Sequence, residues 1–424
     1  MASAGAPETA GQRASVRARI AAAAPWVVRV AVGLTLLHLL DDGFRHGFAE
    51  VLLPAAAAVA IALGFPLLRP GLQAWVAFVY GAVAALDAGV HVSHLSRGGA
   101  FGLADLTGFL HAAGGIALLV VAAAIALRPK ERRPPGRRWL VRIGAVVGTL
   151  ATVLFLVYPL FLASYAVHKP SVRVDDATLG VPHEEVTLHT SDGLDLAASY
   201  VPSRNGAAVV LVHGAGGDRA GSIASRARML ARHGYGVLLY DARGCGNSDG
   251  RPENLAWTWP RDVRAALDYV ASRPDVEAGK IGALGLSSGA ETLLEAAADD
   301  RRIAAVVAEG AQAHTFAEAR ALPGGDGVEA VLVLGPAVAA YAALSLQLPP
   351  EPIQEQLPRI APRPVFLIAA DTSYEHAATE LYRDAATGPV ELWWPEDTPH
   401  TGGLKAHPRE YEQRVIAFLD DALL

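Results

Sequence analysis

The chain has 424 residues, of which 52% are hydrophobic and 18% charged, with a net charge of −6 and one cysteine, Cys245. A single cysteine excludes an intrachain disulfide and a cysteine-rich zinc cluster, and the mildly acidic balance, with no basic stripe, points to no nucleic-acid partner. The apolar share is too large for an ordinary globular protein, and it is concentrated between residues 20 and 167.

Residues 1–22 read as a polar N-terminal tail. Five segments then follow, at 23–40, 51–68, 72–92, 106–127 and 139–167, each apolar enough to cross a bilayer; a spanning helix takes about 20 such residues. The first runs into "LLDDGFRHGF", which lacks a small-residue cleavage site, so it reads as an anchor and not as a cleaved signal peptide. Arg13, Arg17 and Arg19 in the tail, Arg69 after the second segment, and Arg128, Lys130, Arg132, Arg133, Arg137 and Arg138 after the fourth all fall on one side, against Arg45 and Arg97 on the other. This bias predicts a cytoplasmic N-terminus and, after five crossings, an extracytoplasmic C-terminal half.

The apolar block carries polar residues at one predicted membrane face. His38, Asp41 and Asp42 end the first segment, with His46 and Glu50 beyond it; Asp87, His91 and His94 share a helix face in the third; Asp105 and His111 open the fourth. The expectation is that they meet headgroups and water, since no helix repeats a strong ligand spacing. A metal or haem site is the alternative.

Beyond a linker at 169–184 the composition becomes globular. "EEVTLHTSDGLDLAASYVP" alternates around a turn signal and predicts a β-hairpin. "AAVVLVHGAGG", "YGVLLYDARGCGNSDG", "KIGALGLSSGA", "IAAVVAEGA" and "PVFLIAAD" read as strands entering loops. "SRARMLARHG", "PRDVRAALDYVAS" and "ETLLEAAADD" read as helices between them. This alternation predicts a mostly parallel sheet in an α/β domain over 185–424. "HGAGGDRAG" is glycine-rich but lacks the Lys-Ser/Thr pair of a nucleotide loop.

Gly285-Leu286-Ser287-Ser288-Gly289 matches G-x-S-x-G after an apolar strand and before a helix, which is the setting that lifts a serine hydroxyl above a sheet edge on a tight turn. With "LVHGAGG", "DARGCGNSDG", "PVFLIAAD" and "PEDTPHTGG", this half resembles the α/β-hydrolase family; the membrane half does not. The resemblance implies Ser287 as nucleophile, His400 as general base, and an oxyanion hole from the backbone N–H groups of Ala215 and Ser288, with His213 supporting that loop. For the acid it leaves Asp371, at the end of a strand and therefore favoured, or Glu375 in "DTSYEH". The side chain of Ser288 is expected to do little beyond fitting.

The apolar run 328–346 is long enough to span a membrane, but spanning would separate Ser287 from His400. It is therefore expected to be a lid helix within an insertion at about 312–362, covering an apolar pocket or touching the bilayer. The sequence thus predicts five transmembrane helices joined to an α/β-hydrolase domain. The expected activity is that of a membrane-anchored serine hydrolase for an ester, thioester or amide, with esterase or lipase favoured over peptidase. Its partners would be a small-molecule or lipid-like substrate and the bilayer, with no metal or cofactor. A membrane sensor or transport component with a non-catalytic hydrolase-like domain is the rival reading.

Overall fold

Val209–Val212 lie in a strand, Ala208–Val212, that is buried along its whole length, and its side chains divide by parity between two cores. Ala208, Val210 and Val212 face one core, while Val209 and Leu211 face the other. A strand buried on both faces is the mark of a parallel sheet covered by helices on each side. The computed structural model describes residues 10–46, 49–96, 101–127, 143–144, 147–148, 151–160, 163, 179–251, 253 and 255–424. The chain forms two units, which meet in sequence near residue 165.

The C-terminal unit is built on an eight-stranded sheet. Its strands are β1 (Glu184–His189), β2 (Asp195–Val201), β3 (Ala208–Val212), β4 (Gly236–Tyr240), β5 (Ile281–Leu286), β6 (Ile303–Glu309), β7 (Val365–Ile368) and β8 (Val390–Trp393). Their order is β1-β2-β4-β3-β5-β6-β7-β8. The hairpin β1–β2 and the β2–β4 pair are antiparallel, and every pair from β4 to β8 is parallel. Helices at Pro260–Ala271 and Ser288–Asp299 bury Val263, Leu267, Leu293 and Leu294 in the first core. Helices at Ser222–Arg232 and Pro408–Leu423 bury Ile223, Leu230, Val415 and Leu419 in the second.

Between β6 and β7 the chain forms short helices at Phe316–Ala321 and Ile353–Gln356 and a long one at Gly324–Ser345, which contains Pro336 and begins four residues before the predicted lid helix. A Cβ at Gly335 would lie 2.9 Å from the ring of Phe316, so the long helix packs closely on the short one before it. Near the long helix's end, Tyr341 meets the edge of Trp257 at 4.9 Å between ring centroids.

The N-terminal unit contains α1 (Ala10–Ala22), α2 (Ala24–His46), α3 (Ala49–Gly64), α4 (Pro70–Ser96) and α5 (Leu103–Ala126). Among the described residues three stretches are long and apolar enough to cross a membrane: Ala24–Asp42, Pro70–Gly89 and Leu103–Ala126. They match the first, third and fourth of the five predicted segments. In the second predicted segment α3 runs through Pro54 and stops at Gly64, before a turn at Phe65–Leu67 that contains Pro66; proline lacks the N–H that continues a helix. The fifth, 139–167, lies largely outside the described residues.

Candidate active site

β5 ends at Leu286 and the following helix starts at Ser288, so Ser287 carries the whole reversal, at φ 52° and ψ −125°. A non-glycine residue held at positive φ costs on the order of 1–3 kcal/mol and persists only where its surroundings enforce it. Here the two flanking glycines are sterically required. A Cβ at Gly285 would collide with the carbonyl of Gly289, and one at Gly289 would collide with the carbonyls of Val212 and His213. The turn is also fixed from the neighbouring strand, where the N–H of Ser287 donates to the carbonyl of Glu309 at 2.8 Å.

Three side chains meet above the sheet. The hydroxyl of Ser287 lies 2.9 Å from Nε2 of His400, and Nδ1 of His400 lies 2.6 Å from Oε1 of Glu375. Gly310, at φ 74°, leaves the room His400 needs: a Cβ there would stand 2.9 Å from its Cε1. The imidazole side chain is 42% exposed and Glu375 only 2%, so the ring is open to solvent while the carboxylate beside it is shielded.

Of the two candidate acids, the structure brings Glu375 to His400 and not the favoured Asp371. Asp371 is exposed; its N–H donates to the carbonyl of Thr398, and its carboxylate accepts from the N–H of Asp397 at 3.4 Å. The chain turns straight into a helix at Ser373–Ala385, with Thr372 as N-cap accepting from the N–H of Glu375. Glu375 therefore sits in the first turn, aimed back over the end of β7, where its second oxygen accepts from the N–H of Ala370 at 2.7 Å. Burial pushes the Glu375 carboxyl upward, but the hydrogen bonds from His400 and Ala370 outweigh it and hold the group below its ordinary range. In turn the hydrogen bond to Glu375 raises the imidazole of His400, against the opposing effect of burial.

Sequence reasoning missed two supports. Gln312 donates from its side chain to Glu375 at 3.2 Å, while its backbone N–H donates to buried Glu291 and its carbonyl accepts from Tyr382. Glu309 joins the serine turn to the histidine loop: Oε1 accepts from the N–H of Gly403 at 2.9 Å, and Oε2 accepts from Arg226 at 2.6 Å and from Tyr411 at 2.8 Å. Arg226 also donates to the carbonyl of Thr401, beside His400. The visible signal was an acid closing an otherwise apolar strand. Removing one partner of a buried ion pair costs about 3–5 kcal/mol, so Glu309→Ala is expected to lower the melting temperature of the C-terminal unit by roughly 10 °C, read by circular dichroism.

The remaining motif residues are structural or flank the serine. His213 is fully buried and ligates backbone on both sides, Nδ1 to the carbonyl of Gly214 at 2.8 Å and Nε2 to the N–H of Ala242 at 3.0 Å. A carbonyl on one nitrogen and an N–H on the other fix the neutral Nδ1–H form, which is unsuited to proton transfer. Ala215 lies in the turn Gly214–Gly217, whose first residue approaches Ser287: a Cβ at Gly214 would stand 3.1 Å from the serine Cβ. Ser288 is buried and opens the helix after the elbow. Asp241 and Arg243, from the "DARGCGNSDG" loop, are held by Arg219 and Asn247 and by Asp262 and Asp192 respectively.

This strand order, this elbow and this Ser-His-Glu arrangement define an α/β-hydrolase. The chain belongs to the X-Pro dipeptidyl-peptidase (S15) family, whose model matches residues 168–407. It is similar to the Escherichia coli protein YcjY, at 36% identity over 122 residues, covering 28% of this chain and 40% of that one. It is also similar to the polyketide transferase grgF of a Penicillium species, at 34% identity over 131 residues, covering 30% of this chain and 45% of the relative. The matched stretches thus span less than half the length of either relative. A solved esterase structure from Pyrococcus furiosus is 21% identical, with a TM-score of 0.49, covering 60% of this chain and 98% of its own.

Proposed function

We propose that this protein is a serine hydrolase that cleaves an ester or thioester through an acyl-enzyme. The observation that carries the reading is the chain of contacts from Ser287 to His400 to Glu375 on a strained strand-to-helix turn. As the serine oxygen attacks the substrate carbonyl, its proton passes to Nε2 of His400. Glu375 holds the Nδ1–H tautomer and stabilises the imidazolium that forms. The backbone N–H groups of Ala215 and Ser288 receive the developing oxyanion, a donor of this kind being worth about 3 kcal/mol. His400 then protonates the departing alcohol or thiol, and in the second half it activates water against the acyl-serine.

The base must be neutral to act, so kcat/KM rises with pH through the titration of His400. Because that group is raised above its ordinary 6.5, the acid limb is expected to have its midpoint above this value. A rate profile in detergent, between about pH 5 and 9, checks it; a midpoint below 6.5 would contradict the assignment.

The three long apolar helices support an integral membrane protein, and with all five predicted segments crossing, the distribution of arginine and lysine supports an extracytoplasmic hydrolase domain. A C-terminal tag digested by protease added to intact spheroplasts is the expected result; protection would reverse the topology. Membership of a peptidase family favours a second substrate class, peptides with proline in the second position. A panel of aryl esters, acyl thioesters and Xaa-Pro anilides separates the two. Faster turnover of the esters and thioesters is expected, and turnover of the anilides alone would give the site to peptides.

A further inference from the structure

The N-terminal unit holds a second cluster of chemical side chains, apart from the hydrolase site. His38 and Asp42 stand one turn apart on α2, Asp87 and His91 one turn apart on α4, and Asp105, Thr107 and His111 on the first three turns of α5. Their side chains converge in the interior of an otherwise apolar helix packing: those of His38 and His91 are each 7% exposed and that of Asp87 10%. His46, Glu50 and His94 lie outside the residues whose side chains are described. The expectation that these groups meet headgroups and water does not fit the burial of His38, Asp87, His91 and Asp105.

One oxygen is the focus. Oδ2 of Asp87 lies 3.1 Å from Nε2 of His38, 3.2 Å from Nδ1 of His111 and 4.0 Å from Nε2 of His91. The outer nitrogens of two of these rings have partners that fix their protons. Nδ1 of His91 faces Oδ1 of Asp105 at 3.2 Å, an acceptor only, so that nitrogen carries the hydrogen. Nδ1 of His38 faces the Thr107 hydroxyl at 3.1 Å; the single proton of that hydroxyl is drawn to the carbonyl of Ala104 at 3.1 Å and the carboxylate of Asp41 at 3.5 Å, so the oxygen accepts from the ring. In both neutral imidazoles the inner Nε2 then presents a lone pair to a carboxylate oxygen that has only lone pairs. A buried arrangement of this kind is repulsive unless a proton or a metal cation lies among the three atoms.

We propose that His38, His91 and Asp87 bind a divalent first-row transition-metal ion, with His111 beside an open coordination position. Two imidazoles and one carboxylate are a donor set suited to zinc or iron, and an open position is the pattern of a reactive rather than a purely structural site. Metal–ligand bonds of about 2.0–2.1 Å in a tetrahedral site put ligand atoms roughly 3.3 Å apart. The His38–Asp87 separation of 3.1 Å meets this, and the three donor atoms all lie within 4.8 Å of one another. Asp105 and Thr107 supply the outer hydrogen bonds that orient ligating histidines. Gly108 gives the His91 ring its place against α5, since a Cβ there would fall inside the imidazole.

The test uses the full chain purified in detergent without chelator. Elemental analysis is expected to find about one transition-metal equivalent per chain. Chelator-stripped protein titrated with Co2+ is expected to develop visible absorption bands that saturate at one equivalent. Asp87→Ala and His91→Ala should abolish both signals. Asp105→Asn, which keeps the shape of its side chain, should weaken Co2+ binding by about 10–100-fold, and it decides the question if the first two variants fail to fold. Wild-type protein that is folded by circular dichroism yet carries no metal and takes up no Co2+ would overturn the proposal and leave two buried imidazolium ions as the source of positive charge. Co2+ binding undiminished in all three variants would also overturn it.

Discussion

Ser287→Ala is expected to lower the turnover of an activated aryl ester by at least about 10^4-fold, with the melting temperature nearly unchanged. The magnitude follows from the role: without the nucleophile no acyl-enzyme forms, and only binding and oxyanion donors remain to assist direct attack by water. The fold should tolerate the change. Ser287 reaches its φ of 52° because Gly285 and Gly289 let the chain reverse tightly and because its N–H is held by the carbonyl of Glu309. None of these contacts uses the hydroxyl. A residual rate above a few per cent, in protein free of wild-type contamination, would give the chemistry to another group.

Glu375→Gln is expected to reduce kcat by roughly 10^3–10^4-fold, while Asp371→Asn leaves it near the wild-type value. The glutamine keeps volume and one oxygen but loses the charge that stabilises the imidazolium and fixes its tautomer; the corresponding neutralisation in a well-studied serine protease costs about 10^4. The acid limb of the rate profile should also move down in Glu375→Gln, because the hydrogen bond to Glu375 is the principal cause of the raised His400. Asp371 touches only the backbone of the histidine loop, and asparagine retains an oxygen for the Asp397 N–H. The opposite ranking of the two variants would restore the strand-end acid.

The difference between these two acids marks where the sequence was legible. The sheet was readable because β3 and β5 are short apolar runs that lead into glycine-bearing loops, and the elbow because G-x-S-x-G stood between a strand and a helix. The acid was misread because a strand-end position looked more rigid than one four residues later. Yet Thr372-Ser373-Tyr374-Glu375 is itself a helix-start pattern, and reading it so would have put Glu375 on a rigid first turn. Gln312 and Arg226 were not legible, since they reach the site from 63 and 83 residues away along the chain and their partners are chosen by tertiary packing. In the N-terminal unit the count of spans rested on apolar content, which does not register that α3 stops at Gly64. The shared face of Asp87 and His91 was visible from their spacing; that His38 and His111 join them depended on how three helices pack.

The central claim, an activated serine at position 287, is tested most directly by a fluorophosphonate probe on the detergent-solubilised full chain, with the modified peptide located by mass spectrometry. One adduct is expected, on Ser287, and it is lost in Ser287→Ala and in protein acidified well below the titration of His400. A folded wild-type protein that takes up no probe, or takes it up at a different residue, would contradict it.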